Sequence, residues 1–238
     1  MRRAGDRFRT DPGWARTFHS FSFGDHYDPA DVGFGALVAH NDETVRSGSG
    51  YADHPHRDTE IVTWVLSGSL VHTDSTGHRG VVQPGLAQRL SAGSGVVHAE
   101  RNDAFVLDPD AAPEPVHFVQ MWLRPDTPGT PPSYAARPLD LVDLGRDWLP
   151  VASAGHPDAA VDLGSAGSTL WATRLGPGTV RTLPDAARLH VFVARGVVEV
   201  ETVGALGPGD ALRLTGSAPL RVTGAADEAE LLVWELAA

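Results

Sequence analysis

Gly48-Ser49-Gly50-Tyr51-Ala52-Asp53-His54-Pro55-His56-Arg57-Asp58-Thr59-Glu60-Ile61-Val62-Thr63-Trp64-Val65-Leu66-Ser67-Gly68 is the stretch on which the reading of the fold turns. Its first part sets two imidazoles at i and i+2; successive side chains of a β-strand alternate, so both point to one face. Its second part, Ile61 to Leu66, is continuously apolar, the pattern of a strand covered on both sides. Farther along, His98-Ala99-Glu100 repeats the i, i+2 spacing with an imidazole and a carboxylate. If the two segments are neighbouring strands, His54, His56, His98 and Glu100 converge on one ion. That donor set has no thiolate, and it suits Fe(II), Mn(II), Ni(II), Cu(II) or Zn(II) at a working site better than a structural zinc knuckle.

The rest of the chain extends the β pattern. Twenty-six glycines and eighteen prolines punctuate short β-branched runs such as Val116 to Leu123 and His190 to Ala194. Many short strands with regular turn signals predict an all-β sandwich or barrel. Residues 125–134, Pro-Asp-Thr-Pro-Gly-Thr-Pro-Pro-Ser-Tyr, cannot sustain a ladder of backbone hydrogen bonds, which places a boundary there between domains at 1–135 and 136–238. The two parts repeat one another. Trp64 to Leu70 is followed by Gln83 to Leu90, and Val191 to Val198 by Gly207 to Leu214, in each case a strand, a glycine turn, a strand, then a Pro-Gly turn and another strand. His54 and His56 lie fourteen and twelve residues before Gly68, and the same offsets from Gly196 give Thr182 and Pro184. The second domain is therefore expected to be a copy without metal.

Composition narrows the function. Thirty acidic against nineteen basic residues give a formal charge of -11, which repels nucleic acid and anionic membrane surfaces. No signal-peptide pattern and no apolar run of about 18 residues occurs, so the reading is of a soluble cytoplasmic protein with no membrane or direct nucleic-acid partner. The absence of cysteine excludes disulfides, iron–sulfur ligation and a thiol nucleophile.

Spaced as Gly48, His54-Pro55-His56, Glu60 and Gly68, the opening stretch resembles the first signature of the cupin superfamily, and Gly95 to Asn102 resembles the end of the second. The sharper resemblance is to pirins. Phe21-Ser22-Phe23-Gly24, Tyr27-Asp28-Pro29, Gly33-Phe34-Gly35, His54 to Glu60, His72-Thr73-Asp74-Ser75 and Ser91 to Glu100 all look like pirin segments. The likeness runs from about Arg16 to Leu123 and continues more weakly to the C-terminus. It implies two jelly-roll β-barrels in tandem, the first metal-bearing and the second metal-free. It also implies His54, His56, His98 and Glu100 as ligands of one divalent ion, most often Fe(II), with Mn, Ni, Co, Cu or Zn as alternatives. Glu60 falls where many other cupins place a carboxylate ligand; with the same strand parity as His54 and His56, it is expected to orient a ligand imidazole. Departures from the pirin pattern stand at Leu86-Ala87, Thr59, Trp64 and Ala99, where the pocket is shaped.

Pirins of this type imply oxygenolytic opening of a flavonol ring. The 3-hydroxyl and 4-carbonyl of a flavonol chelate the ion, Glu100 takes the hydroxyl proton, and O2 adds across C2 and C4 with release of carbon monoxide. The alternative is a non-catalytic iron-binding redox sensor that works through a protein partner; a Zn(II) isomerase or binder is a third reading. His19, His26, His40, His72, His78, His117, His156 and His190 have no partner at ligand spacing and are expected to serve as hydrogen-bonded strand or turn residues. Arg57 is expected to pair with Asp58. Trp64, Trp122, Trp171 and Trp234 are expected to fill the barrels, with one of them open to a pocket mouth.

Overall fold

A computed structural model describes residues 1–104, 113–216 and 218–238. The first half contributes β1 (Phe8–Thr10), β2 (Ala15–His19), β3 (Leu37–Val45), β4 (Gly50–His56), β5 (Glu60–Ser67), β6 (Leu70–Asp74), β7 (Arg79–Val82), β8 (Leu86–Ser91), β9 (Val96–Arg101), β10 (Val116–Leu123) and β11 (Ser133–Pro138). These strands form a seven-stranded sheet, β1-β2-β3-β10-β5-β8-β11, and a four-stranded sheet, β4-β9-β6-β7. After one helical turn, α1 (Leu141–Leu144), come β12 (Leu149–Ser153), β13 (Val161–Asp162), β14 (Thr169–Leu175), β15 (Val180–Thr182), β16 (Arg188–Arg195), β17 (Val198–Val200), β18 (Gly204–Leu206), β19 (Ala211–Thr215), β20 (Arg221–Gly224) and β21 (Ala229–Leu236). Here the sheets are β13-β12-β14-β21-β16-β19 and β15-β20-β17-β18. The result is the all-β pair of jelly-roll barrels read from the sequence. Because β11 pairs with β8 along its whole length, a division at 135/136 would cut that strand; the chain passes between the large sheets at residues 139–148.

The duplicated turns coincide in space as well as in sequence. Gly68 links β5 to β6 and Gly196 links β16 to β17, with φ of 73° and 67°. A Cβ at either would meet backbone oxygen, of Pro115 at 2.8 Å or of Glu228 at 2.6 Å, so both conformation and space demand glycine.

Alternation along the strands assigns each side chain to a barrel interior or to the seam between barrels. On β5 and β10, Val62, Trp64, Leu66, Val119, Met121 and Leu123 face the seam, where they meet Leu170, Phe192, Leu232 and Trp234 of the second barrel. The intervening Val65 and Phe118 turn inward. On β16 and β21, Leu189, Val191, Val193, Leu231 and Val233 fill the second barrel. Ile61 to Leu66 is thus buried on both faces, as its unbroken apolar run predicts.

The tryptophans depart from expectation. Trp64 and Trp234 fill the seam and not a barrel: the Trp64 indole Nε1 donates to Glu230 Oε1 at 2.8 Å, and Trp234 Nε1 lies 3.1 Å from Met121 Sδ. Trp171 packs on the second barrel's core, and Trp122 borders the pocket described below. Among the described residues, no helix is long and apolar enough to cross a membrane.

Two histidines meet in the seam. His40 of β3 and His190 of β16 lie edge to face with centroids 4.7 Å apart; both are fully buried, and among the described residues none gives any of the four ring nitrogens a hydrogen bond. Burial holds both pKa values well below 6.5, and each ring's neighbours push the same way: His190 and Arg7 for His40, Arg213 and Arg7 for His190. The folded state therefore takes up no proton at pH values where the unfolded chain does. Stability is full above about pH 6.5 and falls below it, by about 1.4 kcal/mol per pH unit for each ring. Urea unfolding at pH 7.0, 6.0 and 5.0 should show this loss, and His190→Leu should make it shallower; equal slopes for the two proteins would contradict the assignment.

Candidate metal centre

The small sheet of the first barrel carries the histidine pairs. β4 is its edge strand, bonded only to β9, which is why Pro55 can sit between two functional residues without costing a ladder hydrogen bond. Opposite partners are His54 with His98, His56 with Val96, and Tyr51 with Glu100. The register shifts by one residue between Tyr51 and His54; this bulge turns Tyr51 to the same face as His54 and His56 despite its opposite parity.

The three rings close on one another. Centroid separations are 4.4 Å for His54 and His98, 4.8 Å for His56 and His98, and 4.9 Å for His54 and His56. One nitrogen from each falls within 4.8 Å of the other two. His54 Nδ1 lies 2.8 Å from the Ala52 carbonyl oxygen, a hydrogen bond that makes Nδ1 the donor and leaves the Nε2 lone pair free. Among the described residues, His56 Nε2 and both nitrogens of His98 are buried with no protein partner. Burial, with His98 and His54 nearby, lowers the His56 pKa to about 4; burial and His54 lower that of His98 to about 3. Three imidazoles converging with lone pairs that no internal hydrogen bond uses fit a divalent transition ion.

Glu100 is 2% exposed and stands beside His98. Gln120 Nε2 lies 2.9 and 2.8 Å from its two carboxylate oxygens, and Gln120 Oε1 accepts from Trp122 Nε1 at 3.0 Å. The four residues read from the sequence thus lie in one barrel interior, the three rings as a tight cluster and the carboxylate next to them. Two further groups escaped that reading. His72 forms a second group with His98 and Glu100, all three with donor atoms within 4.8 Å, so its description as a residue without a ligand-spaced partner is corrected. Its partners come from register across strands, with His72 opposite Glu100, and not from spacing along the chain. Gln120 was visible only as one of the inward positions of β10.

Glu60 is also corrected. It does not orient a ligand imidazole: it is the first residue of β5, in the other sheet, and it points to the seam. Its Oε2 accepts from Ser91 Oγ at 2.8 Å and from the Gly164 backbone N–H at 3.1 Å, joining the two barrels. Parity fails between His56 and Glu60 because Arg57-Asp58-Thr59 breaks the strand, with Asp58 at a φ of 50°. Arg57 Nε pairs with Asp58 Oδ2 at 3.3 Å on the surface.

A cavity of about 340 Å³ opens on the cluster, within the usual size of small-molecule sites. Phe23 and Trp122, in edge contact at 5.1 Å, form an aromatic wall; Trp122 in turn lies edge-on to His56 at 4.9 Å. His19, Asn41, Glu43 and Tyr51 line the polar side. Burial raises the Glu43 pKa to about 7 against the opposing hydrogen bond from the Tyr51 hydroxyl, so this carboxyl loses its negative charge as the pH falls below neutral.

Metal analysis of protein purified with and without added Fe(II) tests the cluster. Wild type should hold close to one ion per chain, His54→Ala and His98→Ala far less, and Glu60→Gln as much as wild type but with an unfolding free energy lower by about 1–3 kcal/mol, the cost of a disturbed buried hydrogen-bonded group. Equal metal in wild type and His54→Ala would refute the centre.

Comparison with known proteins agrees with this geometry. The Pirin family model matches residues 2–123. A Mycobacterium tuberculosis protein with the provisional name quercetin 2,3-dioxygenase is 47% identical over 99% of this chain and 94% of its own. The quercetin 2,3-dioxygenase of Escherichia coli K12 is 33% identical over 86% of this chain and 85% of its own. The crystal structure of the bacterial pirin YhhW from E. coli in complex with nickel(II) superposes with a TM-score of 0.87 at 28% identity, covering 100% of this chain and 98% of that one. With a matching family model, relatives of this extent and a shared two-barrel fold, the chain belongs to the pirin family.

Proposed function

We propose that this protein is a metal-dependent oxygenase that opens a flavonol ring with O2, as the names of its quercetin dioxygenase relatives suggest. One divalent ion, with Fe(II) as the resident metal, is held by His54, His56, His98 and Glu100. The observation that carries this reading is the set of buried, unpartnered imidazole nitrogens at the base of an aromatic-walled cavity. When bound, such an ion supplies a Lewis acid with open positions for a 3-hydroxy-4-carbonyl chelator and for O2.

The remaining work falls to the chain. Trp122 and Phe23 offer flat apolar surface to the aromatic rings of the substrate, while the polar wall of His19, Asn41 and Tyr51 meets its hydroxyls. Glu100 takes the proton of the substrate's 3-hydroxyl onto a carboxylate oxygen. Gln120 holds that carboxylate through its amide nitrogen, and the Trp122 N–H fixes which end of the amide faces it. O2 then adds across C2 and C4; the O–O, C2–C3 and C3–C4 bonds break, C3 leaves with its oxygen as carbon monoxide, and Glu100 gives its proton back to the carboxylate formed at C4.

Quercetin supplied aerobically to protein reconstituted separately with Fe, Mn, Ni, Co or Cu should lose its flavonol absorbance and release carbon monoxide with at least one of these metals, faster than with the same metal free in solution. His98→Ala should fall to the free-metal rate. A rate no greater than free metal for every ion would overturn the proposal.

A further inference from the structure

Behind the three-ring cluster, on the side away from the cavity, β6 carries a second set of buried polar groups that the proposed reaction does not use. His72 is 0% exposed. Its Nε2 lies 3.2 Å from Asp74 Oδ2, and its Nδ1 is buried with no protein partner. The two strands are in register so that His72 stands opposite Glu100 and Asp74 opposite His98. The His72 and His98 rings are 5.4 Å apart between centroids, and both nitrogens of His98 are likewise buried and unpartnered.

Asp74 is built to stay where it is. Its Oδ1 accepts from the backbone N–H groups of Thr76 and His78 at 2.9 and 3.1 Å and from Thr76 Oγ1 at 2.7 Å. Its Oδ2 also lies 3.3 Å from His78 Nδ1. The Tyr134 ring stacks on both His72 and His78, at 4.8 and 5.1 Å, and closes the set from the large sheet. A carboxylate fixed in this way can only accept, so the His72 nitrogen facing it carries the proton. The other nitrogen, Nδ1, is then a bare lone pair inside the protein, next to an imidazole that must keep one N–H if it gives its other nitrogen to a metal. One hydrogen bond between the two rings, which are adjacent but not bonded in this structure, would satisfy both.

We propose that the Asp74–His72 pair, on ion binding, extends to His98, with His72 Nδ1 accepting the His98 N–H and so fixing the tautomer in which His98 presents its lone pair to the ion, which makes His72 a positioning residue of the centre. This rests on the reading of His54, His56 and His98 as metal ligands. A metal-binding imidazole ordinarily donates its second nitrogen's proton to a carboxylate, a carbonyl or water; here a second imidazole stands between ligand and carboxylate.

The experiment uses the full chain loaded with Cu(II) as a paramagnetic probe, in wild type, His72→Phe, His72→Gln and Asp74→Asn. Affinity is read by chelator competition, and pulsed EPR reads the quadrupole coupling of the remote, non-coordinating imidazole nitrogens. His72→Phe should bind Cu(II) about 10- to 100-fold more weakly and shift one remote-nitrogen coupling, with the number of coordinated nitrogens unchanged. His72→Gln, whose amide oxygen can accept the same proton, should recover part of both. In Asp74→Asn the side-chain oxygen still caps the Thr76 and His78 turn, while an amide NH2 faces His72. That reverses the His72 tautomer and should move the same coupling without unfolding the strand. Wild-type couplings and affinity in both His72→Phe and Asp74→Asn would overturn the inference, as would loss of one coordinated nitrogen in His72→Phe, since His72 would then be a ligand itself. Failure of the centre as a whole looks different: wild type and His54→Ala would hold equal Cu(II).

Discussion

Four strands, β5, β10, β16 and β21, each have to separate a barrel interior from the seam between barrels, and the fold depends on their being apolar on both faces. At about 1.5–3 kcal/mol for each large apolar side chain removed from water, Trp64, Phe192, Met121 and Trp234 make the seam a true core. One of its polar members, Glu230, is paired twice, taking the Trp64 N–H on one carboxylate oxygen and Arg174 Nε, at 2.9 Å, on the other. The seam also reaches the candidate site. With Val119, Met121 and Leu123 held against the second barrel, the alternate residues Gln120 and Trp122 of the same strand point inward, toward Glu100 and the cavity.

Inside the first barrel, a polar layer lies between two apolar ones. Ala15, Val45, Val65, Leu70, Val82, Val116 and Phe118 fill one end, and Ile61, Leu90, Ala92 and Val96 the other. Between them lie His72, His98, Glu100 and Gln120, all buried. Each strand contributes in step: β10 runs Phe118, Gln120, Trp122 through the layers, and β9 brings Val96, His98 and Glu100. In the second barrel the corresponding space is taken by Val198, Val200, Leu206, Leu212 and Val222. Aliphatic side chains there bury fully without needing partners, and the same architecture stands without a polar layer.

The architecture was legible where a pattern lies within one strand. Alternation gave the His54/His56 and His98/Glu100 faces, the unbroken run from Ile61 to Leu66 announced a strand with no solvent side, and the repeated glycine and Pro-Gly turns announced the second barrel. What stayed hidden depends on relations between strands. His72 joins His98 and Glu100 only through the β6–β9 register. Tyr51 reaches the site face only because β4 bulges between it and His54. Glu60 shares a parity with His56 that loses its meaning once Asp58 takes the left-handed conformation and the chain crosses to the other sheet. The tryptophans were placed in the barrels because large aromatic residues signal burial, but burial alone does not say on which side of a strand the core lies.

The position of β4 at the edge of its sheet bears on how the protein would acquire its ion. Ala52, Asp53 and Pro55 are exposed, and His54 and His56 are only partly covered, while every apolar layer lies deeper. The two imidazoles of this strand would therefore be within reach of an ion from solvent without either barrel opening, while His98 and Glu100 lie deeper in the first barrel. With both barrel cores closed by apolar layers, the fold would stand whether or not an ion sits at this face.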